Sequence, residues 1–88
     1  MEKKIEHLTD RNSFGIQCDN EWAVAEYKIS GTTFDIIHTY VPKSFEGQGI
    51  ASRLVEAAFT FAKEKGYRLQ GSCKYAEIWL LRHANFLV

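Results

Sequence analysis

The sequence has few residues of the kinds that mark specialised classes of protein. Its 88 residues contain one proline and two cysteines, and eleven lysines and arginines balance eleven acidic residues. A net charge of zero gives no electrostatic attraction to nucleic acid or to an anionic membrane. No apolar run approaches the ~20 residues that a membrane-spanning helix needs. We therefore expect partners other than nucleic acid and membranes.

The length and the N-terminal composition bound the organisation of the chain. A chain of 88 residues has room for one core, so residues 1–88 are predicted to form a single domain. The first residues lack the apolar stretch of a signal peptide, which predicts a cytoplasmic location. In that compartment Cys18 and Cys73 are expected as free thiols, although their spacing alone also permits a disulfide. The three histidines are scattered, and no metal-ligand pattern is present.

Alternating hydrophobicity and β-branched residues predict three consecutive strands, at Ser13–Cys18, Trp22–Ile29 and Thr33–Val41. Short polar turns separate them, which is typical of an antiparallel meander. Residues 1–12 are polar and are predicted to be loose or lightly structured.

The second half of the chain predicts two helices around one more strand. From Gly49 apolar residues recur at helical spacing until Gly66, and a strand is predicted at Tyr67–Cys73. A last helix is predicted at Lys74–Ala84, with Ile78 and Leu81 on its buried side and Trp79 and Leu80 as further candidates for that side. The predicted order is βββ-αβα, an α+β fold with a mixed sheet. The strands on either side of the first helix should run parallel through a right-handed crossover. Ligands of such sheets bind beyond the carboxyl ends of the parallel strands.

The glycine-rich stretch Phe45–Ala51 lies between a predicted strand and a predicted helix. Glycines allow close approach of a ligand to the backbone, and the first turn of a helix presents N–H groups without intrahelical partners. The stretch therefore suits a phosphate or pyrophosphate. The alternative is a plain strand-to-helix turn without a ligand.

Three segments, His38–Pro42, Glu46–Ala51 and Leu54–Ala58, resemble the acetyl-coenzyme A-binding core of the GNAT acetyltransferase superfamily. The chain is most similar to small single-domain GNAT-like proteins, which carry a cysteine at the end of the following strand, here Cys73. The resemblance implies the GNAT fold and transfer of acetyl from acetyl-CoA to an unidentified amine, with no metal. It leaves a monomer or a homodimer open. A non-catalytic coenzyme A-binding module is the alternative, and a protein-interaction domain without a ligand is a third possibility.

The resemblance also implies a set of cofactor-binding residues. They are Val41, Gly47, Gln48, Gly49, Ile50, Ala51 and Tyr75. Glu46 stands where the superfamily usually has arginine or glutamine, which places a carboxylate near the expected pyrophosphate. The backbone N–H donors of the stretch Phe45–Ala51, which we call the glycine turn, are present whatever the side chain at position 46.

Two residues are candidates for catalysis in the same resemblance. Cys73 is either a nucleophile that forms an acyl-enzyme or a small apolar residue at a strand end. His38 is either a general base or a half-buried structural residue, and it is predicted on the same side of its strand as Phe34 and Ile36. Asp35 is predicted on a solvated face.

Overall fold

The computed structural model of the protein describes residues 4–87, which form a five-stranded sheet with two α-helices. The strands and helices are β1 Ile5–Leu8, β2 Ser13–Cys18, β3 Glu21–Ser30, β4 Thr33–Tyr40, α1 Ile50–Glu64, β5 Arg68–Gly71 and α2 Lys74–Arg82. The strands lie in the sheet in sequence order.

The first four strands form an antiparallel meander. Asp19 and Gly31 occupy the two tight turns with positive φ, which Asp and Gly tolerate better than most residues. The prediction of a loose segment at residues 1–12 was wrong from Ile5 to Leu8, where β1 pairs with β2, and its first three residues lie outside the described part of the chain. Local sequence did not reveal β1 because its stability comes from pairing with β2 and not from its own short pattern.

The crossover from β4 through α1 to β5 follows the predicted order. β5 pairs with β4 in parallel, with Phe34 opposite Leu69 and Ile36 opposite Gly71. Two parallel strands cannot be joined by a tight turn, so the intervening helix is required. Gly66, at φ 83°, lets the chain reverse after α1.

The core lies between α1 and one face of the sheet, which we call the helix face. It is lined by alternate strand residues, among them Ile16 and Ile36, and by the apolar side of α1, including Leu54 and Phe59, all with no exposed area. Alternation with period two in the strands and near 3.6 in the helix brings these side chains together. Hydrophobic burial of this kind is the main favourable contribution to folding.

Helix α2 packs beside α1 on the same face, and its predicted buried side is confirmed for Trp79 and wrong for Ile78 and Leu81. Trp79 and Ala76 are buried, and the Trp79 ring lies 5.8 Å from that of Phe59. Ile78 is 37% exposed and Leu81 is 75% exposed. The prediction failed because α2 is short and amphipathic only weakly, so its buried side depends on where β5 delivers the chain.

The opposite face of the sheet, which we call the outer face, has no α-helix over it within residues 4–87. Trp22 is half-buried on this face, where its ring covers Gly15. No helix in the described part of the chain has the length and apolarity to cross a membrane.

Candidate active site

The glycine turn connects β4 to α1 after the buried Pro42 and one turn of 3-10 helix at Lys43–Phe45. Gly47 and Gly49 adopt φ values of 84° and 77°, a conformation that other residues reach only with strain. No atom lies within 4 Å of where a Cβ would stand at either glycine. The backbone of the turn therefore faces open space, and α1 begins directly after it.

This open space is a cleft of about 410 Å³ between the end of β4, the glycine turn and the start of α2. Six of the seven predicted cofactor-binding residues line it: Val41, Gly47, Gly49, Ile50, Ala51 and Tyr75. The seventh, Gln48, is exposed beside them. Glu46 and Tyr40 also line the cleft.

A β-bulge in β4 decides which side chains face this cleft. Tyr27 pairs with Ile36, but Glu26 pairs with His38, so Ile37 is an extra residue on β4. An extra residue reverses the alternation of every side chain that follows it. Thr39 therefore lies on the helix face, opposite the buried Ala25, and it lines the cleft.

His38 consequently lies on the outer face, opposite Glu26, and its side chain is exposed. The prediction that it shares a side with Phe34 and Ile36 was wrong, because the bulge falls between those residues and His38. The structure thus places His38 and Thr39 on opposite faces of the sheet.

Cys73 lies between β5 and α2 and is the N-cap residue of α2. Its Sγ is 3.5 Å from Thr39 Oγ1, and its backbone N–H donates to the Ile36 carbonyl at 3.1 Å. The thiol is half-buried and is not bonded to Cys18, which is also free. Thr39 therefore joins Cys73 to the cleft.

The surroundings of Cys73 favour its thiolate. Burial raises the pKa of the Cys73 thiol, but the Thr39 hydroxyl and the backbone amides of Ala76, Tyr75 and Thr39 outweigh burial, so that the net pKa is lowered. The amides of Tyr75 and Ala76 belong to the first turn of α2, where unpaired N–H groups and the helix dipole stabilise an anion. A thiolate is the nucleophilic form of cysteine.

Asp35 is the polar residue of this region that the sequence analysis placed wrongly. It was predicted on a solvated face, yet it is only 3% exposed. Its carboxylate accepts hydrogen bonds from Ser72 and Gln70. The local sequence carries no signal of this burial, because alternation of Asp35 with Phe34 and Ile36 is typical of a strand with one solvated face. The hydrogen bonds that accompany the burial come from the distant residues Gln70 and Ser72.

Within the described residues, no group of histidine, cysteine and acidic side chains could hold a metal ion. His83 is the C-cap residue of α2, where its ring stacks on Trp79 at 4.0 Å and its Nδ1 lies 2.8 Å from the Trp79 carbonyl oxygen. These contacts explain His83 as a packing residue at the helix end.

Comparison with known proteins identifies the family to which this arrangement belongs. The family described as GCN5-related N-acetyl-transferase matches residues 13–87, which is nearly the whole chain. The chain belongs to the GCN5-related N-acetyltransferase family. The matched range includes the glycine turn, Thr39 and Cys73.

Similar proteins and a solved structure agree with this assignment. Protein NATD1 of Xenopus tropicalis is 34% identical over 77 residues, which cover 84% of this chain and 71% of that protein. Protein NATD1 of Mus musculus is 31% identical over 77 residues, covering 84% of this chain and 70% of the relative. The solution structure of a GCN5-like protein from Staphylococcus aureus superposes with a TM-score of 0.75 at 27% identity, covering 94% of this chain and 82% of that one. The family and the mixed α+β fold predicted from the sequence are thereby confirmed.

Proposed function

We propose that this protein is an N-acetyltransferase that transfers acetyl from acetyl-CoA to an amine whose identity is open. The proposal follows from one observation: a single cleft is lined by the glycine turn and by Thr39, which contacts Cys73. An anion-binding backbone is thus adjacent to a thiol whose surroundings favour the thiolate. Enzymes of this family use acetyl-CoA as the acetyl donor.

The residues of the cleft fit the chemistry of coenzyme A. The amides of the glycine turn and the first turn of α1 suit a pyrophosphate, because open space faces Gly47 and Gly49 and the helix dipole attracts an anion. Val41 and Tyr75 offer apolar surface to the pantetheine arm on the other side of the cleft.

When bound, acetyl-CoA supplies the acetyl group as a reactive thioester. In the proposal, Thr39 holds the Cys73 thiolate at the end of the cleft, where it would take the acetyl group as the coenzyme A thiolate leaves. Attack by the acceptor amine would then form the amide, return the sulfur of Cys73 as thiolate and release the amine proton to the base. His38 remains the proposed general base, and its position on the outer face restricts that role to an acceptor amine that approaches from this face.

The two free thiols support the cytoplasmic location proposed for the protein.

Calorimetric titration of the reduced protein with acetyl-CoA tests the binding step. Gly49→Leu and Gly31→Leu form a matched pair, because both glycines have positive φ and open space around the Cβ position, but only Gly49 lines the cleft. Each substitution should cost roughly 1–2 kcal/mol of stability through backbone strain. We expect saturable binding in the wild type and in Gly31→Leu, and at least tenfold weaker binding in Gly49→Leu.

The opposite results are equally informative. If the folded wild type does not bind acetyl-CoA at millimolar concentration, the proposal fails. Equal affinities of the two leucine variants would place the ligand away from the glycine turn.

A non-catalytic coenzyme A-binding module is the second candidate, favoured by the Glu46 carboxylate in the cleft. A carboxylate stands where the superfamily usually has arginine or glutamine, and it repels the proposed pyrophosphate instead of binding it. This departure from the motif of the enzymes favours the module. Mass spectrometry after incubation with acetyl-CoA separates the candidates. An acetyl adduct on Cys73, absent in Cys73→Ala, supports the enzyme with covalent catalysis. Binding without an adduct and without acetylation of any amine in a panel supports the module.

A further inference from the structure

The Asp35 carboxylate is buried on the outer face of the sheet, outside the cleft. It is paired in register with Gln70 of β5. Burial of a carboxylate is unfavourable unless hydrogen bonds replace the lost water. The contacts that replace it here all come from one short segment of chain.

Three hydrogen bonds reach the carboxylate from Gln70 and Ser72. The Ser72 backbone N–H donates to Oδ1 at 2.8 Å, and the Ser72 hydroxyl donates to Oδ2 at 2.6 Å. The Gln70 amide nitrogen also donates to Oδ2, at 3.1 Å. Hydrogen bonds to an ionised acceptor are stronger than those between neutral groups. Asp35 therefore extends the pairing of β4 with β5 beyond the last strand residue, Gly71.

The segment held in this way leads directly into Cys73. Ser72 precedes Cys73, and the Cys73 N–H donates to the carbonyl of Ile36, the residue after Asp35. Asp35 and Ile36 of β4 thus bind Ser72 and Cys73, the two residues that precede α2. The position of the Cys73 sulfur relative to Thr39, 3.5 Å away, depends on this connection.

We propose that Asp35 is a positioning residue that fixes the connection from β5 to α2 and thereby holds Cys73 against Thr39 at the end of the cleft. The inference rests on the proposed function only in one respect, the role of Cys73 as the nucleophile. The positioning itself is a property of the free protein and can be measured without acetyl-CoA.

If Asp35 acts by positioning Cys73, its removal changes the pKa of the thiol in one direction. If it acts only through its negative charge, its removal changes that pKa in the other direction. Removal of a nearby negative charge lowers the pKa of a thiol, because the thiolate is then repelled less. Release of the connection raises the pKa of Cys73, because the Thr39 hydroxyl and backbone amide, which lower that pKa, no longer face the sulfur. The direction of the change therefore distinguishes the two roles.

The experiment measures the rate of iodoacetamide alkylation of Cys73 as a function of pH, with the modified peptide identified by mass spectrometry. Cys18 is 1% exposed, and its modification reports unfolding. In Asp35→Ala we expect the apparent pKa of Cys73 to rise and its alkylation at pH 7 to slow by about threefold or more. Ser72→Ala keeps the backbone hydrogen bond to Asp35, so a smaller change in the same direction is expected.

Ile16→Val is the control for general loss of stability, because Ile16 is fully buried in β2, away from the connection. It should leave the pH profile of Cys73 unchanged. An unchanged or lowered pKa in Asp35→Ala would overturn the proposal, and so would an equal rise in Ile16→Val. If Asp35→Ala does not fold, Ser72→Ala decides: an unchanged profile in this variant rejects positioning. Because no acetyl-CoA is present, none of these outcomes depends on the proposed function.

Discussion

At the scale of single residues, His7 shows how burial sets a chemical property. Its ring stacks on Phe14 at 4.1 Å and meets the edge of Phe61 at 4.6 Å, and its Nε2 shares a hydrogen bond of 2.7 Å with Tyr27 Oη. Burial lowers the pKa of His7 from 6.5. Burial among the aromatic side chains that connect β1 to the core therefore favours the neutral form of His7.

This lowered pKa predicts a pH dependence of stability. The unfolded chain binds a proton at His7 near pH 6.5, whereas the folded protein does so only at lower pH. The free energy of unfolding should therefore fall as the pH drops through about 6.5, and His7 should contribute no further loss below its folded pKa. Urea unfolding near pH 7 and near pH 5 tests this, with His7→Gln as the comparison. A fall of equal size in both proteins would contradict the prediction.

At the scale of elements, the first turn of α2 lies directly on β5. A Cβ at Gly71 would stand 2.6 Å from the Glu77 nitrogen and 2.7 Å from the Ala76 carbonyl carbon, both of them backbone atoms. Only glycine permits this approach, which brings the first turn of α2 and its N-cap Cys73 close to the end of β4. The position of the thiol is thus a consequence of helix packing as well as of the Asp35 hydrogen bonds.

We expect Gly71→Ala to lower the free energy of unfolding by about 1–3 kcal/mol, since backbone cannot move aside as a side chain can. Gly15→Ala is the matched control. Its Cβ would meet the Trp22 ring at 2.9 Å and Leu8 Cδ1 at 3.1 Å, which are side-chain atoms and not backbone, and Trp22 is only half-buried. A smaller loss is expected there. Urea titration of both variants measures the difference, and equal losses would refute this account of the α2–β5 contact.

The meander and α1 could be predicted from the sequence because their patterns are local. Alternation predicted β2, β3 and β4, and the apolar stripe after Gly49 predicted α1. The bulge in β4 could not be predicted, since it is a property of pairing between two strands. That single feature moved His38 to the outer face and brought Thr39 to the cleft.

At the scale of the whole molecule, a side-chain hydrogen bond joins the two helices that border the cleft. Trp79 of α2 is 4% exposed, and its indole N–H donates to the Ser52 hydroxyl of α1 at 3.2 Å. The hydrogen bond satisfies a donor that is otherwise shut off from water. It also fixes the start of α1 relative to α2 across the molecule.

Ser52→Ala should lower the free energy of unfolding by about 1–3 kcal/mol, because it leaves the buried indole N–H without its acceptor. Ser52→Thr keeps a hydroxyl at the same position and should lose less. Urea unfolding followed by tryptophan fluorescence compares the two variants. Equal stability of Ser52→Ala and the wild type would show that water or another acceptor replaces Ser52.

The sequence by itself determined the family, the order of elements from β2 to α2, and the glycine turn, because each depends on residues close together in the chain. Tertiary structure alone decided the pairing of β1, the buried side of α2, the burial of Asp35 and the partner of Cys73. Each of these depends on contacts between distant segments. Thr39 and Cys73, for example, meet only because a bulge turns one strand and Gly71 admits one helix.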